Sequence, residues 1–293
     1  MKKRLFQGVA TALITPTNEK GVDYDHLGKL IDWQIEEGVD ALVVCATTGE
    51  APTLSDEEHL RTLEFAVQRA NGRIPIIGGT GSNCTDHAVM MTKEACRLGV
   101  DGILAVTPYY NKATQTGLIR SFEAIADASE KPVILYNVPS RTGVNIEPKT
   151  CLALSEHPNI VAVKEASGNI SQIADIAAMT EGKLDIYSGN DDQIIPILSL
   201  GGQGVISVLS NVLPKKTVEM CRKWFAGDIE GSRRMQLALL PLIHALFSQV
   251  NPIPAKAALY RMGFCEDHIR LPLVPMEEPF RTKLYEAMTE QGI

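Results

Sequence analysis

A single lysine ends one apolar run of the chain, Ile160-Val161-Ala162-Val163-Lys164, and Glu165-Ala166-Ser167-Gly168 follow it. A strand buried on both faces reads as such a run, so Lys164 is expected at the rim of a core. An apolar environment disfavours an ammonium, and a neutral primary amine can attack a carbonyl carbon and form a Schiff base. Taken alone, a strand-end lysine more often snorkels to solvent, so the other reactive residues have to decide. Tyr136 ends the run from Val133 to Tyr136. Its phenol could shuttle protons beside a Schiff-base nitrogen, or be a rim aromatic. Thr47-Thr48-Gly49 is a turn with two hydroxyls and adjacent backbone N–H groups near a helix start. It suits a small carboxylate as well as it suits capping its own helix. Arg141 follows a Pro-Ser bend and could fork onto a second carboxylate or stand as a surface charge.

Other chemistries find less support. Gly79-Thr80-Gly81 lacks the full dinucleotide or Walker pattern, so no nucleotide is expected. Asp191-Asp192 are expected to cap a helix beginning near Gln193 rather than to bind metal. The six histidines show no ligand spacing, and no metal is assigned. Carbonyl activation then falls to Lys164. The six cysteines are dispersed, with no Cys-x-x-Cys pair, which points to a reducing cytoplasm.

The elements that position these residues follow a loose repeat. Glu37-Gly38-Val39-Asp40, Leu98-Gly99-Val100-Asp101 and Leu200-Gly201-Gly202-Gln203 each lead into a short β-rich run, as a glycine C-cap before a strand would. Strands are expected at 8–14, from 41, at 74–78, from 102, and at 133–136, 160–164, 184–188 and 204–207. Amphipathic helices are expected between them at 27–37, 55–70 (with Ser55 and Glu58 as a capping box), 85–98, 115–129 and 169–179. Eight strand–helix units predict an α/β fold, a (β/α)8 TIM barrel with its chemistry at the C-terminal strand ends. The strand signal stops near Pro214, and helices are expected at 214–225, 229–247, 254–262 and from 276 on. The division predicted is a barrel over 1–227 and a C-terminal helical appendage over 228–293.

Composition bounds the partners. The 293 residues are 45% hydrophobic and 22% charged, with a net charge of −7. The longest basic run is Lys2-Lys3-Arg4, and no apolar h-region of a signal peptide follows it. Neither nucleic acid nor a membrane is an expected partner.

Six segments, in order, are Thr47-Thr48-Gly49-Glu50, Gly79-Thr80-Gly81-Ser82-Asn83, Thr107-Pro108-Tyr109-Tyr110-Asn111, Tyr136-Asn137-Val138-Pro139-Ser140-Arg141-Thr142-Gly143, Val163-Lys164-Glu165-Ala166 and Asn251-Pro252-Ile253-Pro254. Together they resemble the dihydrodipicolinate synthase family, within the wider pyruvate-dependent aldolase superfamily that includes N-acetylneuraminate lyase. The resemblance implies condensation of pyruvate with L-aspartate 4-semialdehyde in diaminopimelate and lysine synthesis, through a covalent imine on Lys164 and without a cofactor. It assigns the pyruvate carboxylate to Thr47 and Thr48 and the aldehyde substrate's carboxylate to Arg141. It places Gly189 and Ile206 at the substrate and makes Tyr136, Thr47 and Tyr110 a proton relay, Tyr110 coming from a neighbouring subunit of a homotetramer. An aldolase for a sugar-derived 2-keto acid is the alternative enzyme, and a sensor barrel that only binds small molecules is the non-catalytic one.

The resemblance also implies a regulatory lysine site at the tight-dimer interface. Tyr109, His59 and Asn83 match lysine-inhibited members. Ala51, Pro52, Asp56 and His87 stand where those members carry serine, alanine, histidine and glutamate. The lost glutamate carboxylate would have paired with the lysine ammonium, so weak inhibition or none is expected.

Overall fold

The computed structural model describes residue 2 and residues 4–293; Lys3, in the basic run noted above, lies outside them. Eight parallel strands close into a barrel: β1 Gly8–Ala12, β2 Ala41–Val44, β3 Ile76–Gly79, β4 Gly102–Val106, β5 Val133–Asn137, β6 Ile160–Glu165, β7 Asp185–Ser188 and β8 Gly204–Ser207. Each pairs with its sequence neighbours, and β1 pairs with both β2 and β8. The expected barrel is therefore the observed one. β1 ends two residues early. β3 starts at Ile76 because Pro75 has no N–H to give a ladder; Ile76 N donates instead to the Asp101 side chain at 2.9 Å.

The helices are α1 Tyr24–Glu36, α2 Asp56–Ala70, α3 Thr85–Arg97, α4 Gln115–Asp127, α5 Pro139–Thr142, α6 Pro148–Ser155, α7 Ile170–Thr180, α8 Ile194–Ser199, α9 Pro214–Phe225, α10 Ile229–Leu246, α11 Ile253–Arg261 and α12 Glu278–Glu290. The Ser55–Glu58 capping box opens α2 as expected, while α1, capped by Asp23, begins three residues before the expected start. The helix expected near Gln193 is α8, and two elements were not anticipated: α5 and α6. A two-residue hairpin, Thr17–Asn18 with Gly21–Val22, was not either.

Strand alternation divides the core into two layers. Ala10, Val43, Ile77, Leu104, Ile134, Tyr136, Ala162, Tyr187 and Ile206 fill the barrel. Val9, Leu42, Ile103, Leu135, Val163 and Val205 face outward and pack on helix residues such as Leu30, Leu63, Phe122 and Ile173. The expected boundary near residue 227 falls in the turn between α9 and α10. α10 packs on α9, α8 and α12, and α11 reaches the Leu209–Asn211 turn after β8, at the barrel's C-terminal mouth.

Candidate active site

Lys164 reaches the site through an irregularity. Val133 pairs with Ile160, but Ile134 pairs with Ala162, so β6 carries one extra residue at this point. Both Val161 and Ala162 join the inner layer, and beyond the bulge Lys164 stands opposite Tyr136 with both side chains inward. Lys164 is 4% exposed, and its Nζ lies 4.2 Å from the centroid of the Tyr136 ring. On the other side Lys164 pairs with Tyr187. That phenol donates to the Phe6 carbonyl at 2.6 Å and its ring stacks on Phe6. Burial holds its pKa far above the usual phenol value, and its hydroxyl is taken up by Phe6, whereas Tyr136 lines the cavity.

A second pair lies behind this one. Asn137 faces Glu165 across the same ladder, one residue on and therefore outside the barrel. Glu165 is wholly buried and has no ion-pair partner among the described residues. Its oxygens accept from Asn137 Nδ2 at 2.6 Å, Gln172 Nε2 at 3.1 Å, Ser167 N at 3.1 Å and Ser167 Oγ at 2.5 Å. Four donors on one carboxylate tie the ends of β5 and β6 together at the level where Lys164 meets Tyr136.

A cavity of about 410 Å3 opens at the C-terminal strand ends, lined among others by Thr47, Tyr136, Val138 and Arg141. Arg141 donates through one terminal nitrogen to the Asn251 carbonyl at 3.2 Å. Thr48 is buried beside the cavity, its hydroxyl accepting from Asn251 Nδ2 at 3.0 Å. Gly189 lies against the Lys164 stem, and Ile206 fills the barrel interior. Of the expected catalytic residues Thr47 and Tyr136 line the cavity and Lys164 lies against the Tyr136 ring without lining it, while Tyr110 is 91% exposed on a left-handed backbone (φ 73°).

The same cavity continues to Ala51, Pro52, Asp56, His59, His87 and Tyr109; Asn83 does not line it and accepts from Asn111 Nδ2 through its carbonyl. His59 Nε2 donates to the Gly79 carbonyl at 2.8 Å, and burial lowers its pKa. His87 Nε2 and Asp56 Oδ1 lie 3.0 Å apart.

One expectation needs correcting. Neither Asp191 nor Asp192 caps the helix near Gln193, since the start of α8 carries no side-chain cap hydrogen bond. Asp191 is buried, and its carboxylate accepts from Ser207 Oγ at 2.5 Å, Val208 N at 3.0 Å and Leu209 N at 2.8 Å. It caps the turn after β8, because barrel closure brings those N–H groups closer than the start of α8. Burial raises its pKa against these bonds. Among the described residues no group of three or more His, Cys, Asp or Glu side chains is placed to hold a metal ion.

Asn251, Glu165 and Lys256, to which the sequence alone gives no role, all bear on the site. Lys256 stands between Ala255 and Ala257-Ala258-Leu259 in Ile253–Arg261, and that apolar placement was the available signal.

Residues 5–291 match the model of the dihydrodipicolinate synthetase family. The chain is 53% identical over 290 residues to the 4-hydroxy-tetrahydrodipicolinate synthase of Caldicellulosiruptor bescii, covering 99% of this chain and 98% of that one. It superposes with a TM-score of 0.96 on the dihydrodipicolinate synthase of Acinetobacter baumannii complexed with pyruvate (44% identity, 98% and 99% covered). The TM-score is also 0.96 for the Cyanidioschyzon merolae enzyme with lysine bound (40% identity, 99% of both chains). With a family match over nearly its whole length, a closed barrel and a buried lysine at the barrel mouth, this chain belongs to the dihydrodipicolinate synthetase family.

Proposed function

We propose that this protein condenses pyruvate with L-aspartate 4-semialdehyde to 4-hydroxy-tetrahydrodipicolinate, on the route to diaminopimelate and lysine. The observation that carries the reading is Lys164, buried at the barrel mouth against the ring of Tyr136, in a chain of this family. The Lys164 amine adds to the pyruvate keto carbon and water leaves, giving the imine. Thr47 and Thr48 receive the pyruvate carboxylate. The relay of Tyr136, Thr47 and Tyr110 takes a methyl proton, giving the enamine, whose carbon attacks the aldehyde; the aldehyde oxygen takes a proton back from the same relay. The substrate's own amine then displaces Lys164 from the imine carbon and closes the ring. Arg141 holds the second carboxylate, and Gly189 and Ile206 shape the wall. The covalent imine supplies the electron sink, so no cofactor takes part.

The working assembly is a homotetramer, a dimer of dimers, in which Tyr110 reaches into the neighbouring cavity. Its 91% exposure in the single protomer supports this reading. The compartment is the cytoplasm, in keeping with five buried free thiols and one exposed; no described helix is long and apolar enough to cross a membrane. Product detection with pyruvate plus aspartate semialdehyde, run beside pyruvate plus N-acetylmannosamine, tests the assignment. Turnover confined to the second pair would make the enzyme a sugar-acid aldolase instead.

A further inference from the structure

The turn that carries Thr47 and Thr48 is bounded by two residues in unfavourable conformations. Cys45 opens it and Glu50 closes it, both at φ 55°, in the left-handed region that residues with a Cβ avoid. Other parts of the chain hold it there. Gly49 O accepts from Thr15 Oγ1 at 2.7 Å, and Thr48 Oγ1 accepts from Asn251 Nδ2. The Glu50 carboxylate accepts from Lys256 Nζ at 2.6 Å and from Arg270 N at 3.3 Å. Lys256 donates as well to Thr17 Oγ1 at 2.9 Å. The side chains of the pair are 4% and 1% exposed.

A buried ion pair is a poor device for stability alone, since apolar replacement of both partners is often neutral or better. What the pair adds is direction. It anchors the strained end of the turn to α11, about two hundred residues away in sequence, and it neutralises a carboxylate two residues from where an anionic substrate would sit.

We propose that Glu50 and Lys256 are positioning residues through which the C-terminal helices hold the Thr47–Thr48 turn in its carboxylate-binding shape. The proposal rests on the reading that this turn receives pyruvate. Thermal melts and steady-state kinetics on the full chain test it, with Glu50→Gln, Lys256→Met, the double variant, and Thr47→Val and Thr48→Val one at a time. Each single change at the pair should lower the Tm by leaving a lone buried charge, and the double variant should recover most of it. In the double variant KM for pyruvate should still rise about tenfold and kcat should fall, because Thr47 of the relay moves with the turn, while KM for the aldehyde stays within about twofold of wild type. A double variant with wild-type Tm and wild-type KM for pyruvate overturns the proposal. Should the double variant not fold, Glu50→Asp keeps the charge but withdraws it by one methylene, and the same split decides. If neither threonine variant raises KM for pyruvate, the reading beneath the proposal fails with it. If they raise it and the pair variants do not, the proposal alone fails.

Discussion

Gly189 lies against Lys164: a Cβ at position 189 would stand 3.0 Å from the lysine Cε, 2.7 Å from the Ala166 Cβ and 3.1 Å from the Glu165 carbonyl. The Gly189 N–H also donates to that carbonyl at 2.7 Å, so the backbone cannot retreat without losing a bond. Gly189→Ala should therefore push the lysine stem off its position over Tyr136. We expect about 1–3 kcal/mol of destabilisation from overpacking and a fall in kcat of roughly 10–100-fold from misplacement of the amine. Melts and kinetics read the two effects, and an alanine variant with wild-type kcat would show that the approach does not set the lysine.

Borohydride added with pyruvate should trap a stable adduct on the peptide that contains Lys164. Lys164→Arg should form none and lose most activity, because a guanidinium stays protonated. Peptide mapping that places the adduct on another lysine would sink the mechanism.

Tyr110→Phe keeps the ring and removes the hydroxyl. General acid–base steps contribute on the order of 10²–10⁴-fold, so kcat should fall by that order with the fold unchanged. Mixed Tyr110→Phe and Lys164→Ala protomers should regain part of the activity if sites are shared between subunits. Full kcat in Tyr110→Phe would remove the residue from the relay.

Arg270 binds both oxygens of Glu58 and also the Thr53 carbonyl, fastening the C-terminal loop beside the start of α2. The Arg270 hydrogen bonds lower the Glu58 pKa to about 2, against burial. Because the folded value lies below the unfolded one, folding favours the carboxylate. The contribution is present in full above the ordinary glutamate pKa and is lost as pH falls from there through about 2. The Tm gap between wild type and Glu58→Gln should be widest near neutral pH and close across that acid window. A gap that widened on acidification would contradict the assignment.

L-Lysine should inhibit weakly or not at all. By the resemblance, His87 stands where lysine-inhibited members carry a carboxylate for the lysine ammonium, and Asp56 already lies against His87. Losing a charge-assisted bond costs about 1.5–3 kcal/mol, or roughly ten- to a hundredfold in affinity. Rates across a lysine titration decide the point: half-inhibition well below about 1 mM would show that the altered residues still build the site.

Most of the barrel could be read from local pattern. Buried parallel strands announce themselves as short apolar runs between helical stretches, and the glycine joints at Gly38, Gly99 and Gly201, all at positive φ, mark where each unit turns. Lys164 was legible for the same reason, as a lone amine at the end of such a run. The sequence by itself thus determined the fold class, the order of the units and the lysine at the end of the sixth strand. It did not determine what the amine faces. Without the bulge in β6 the alternation would place Lys164 on the helix side, and nothing in Val161-Ala162 marks it. Asn137 and Glu165 read as unremarkable polar residues until the β5–β6 ladder sets them side by side, and Asp191 chose the turn after β8 over its own helix. Lys256 meets Glu50 only when α11 comes down on the barrel mouth. Each of these contacts joins segments far apart in the chain. Local propensity depends only on near neighbours, so bonds of this kind exist only after the barrel has closed.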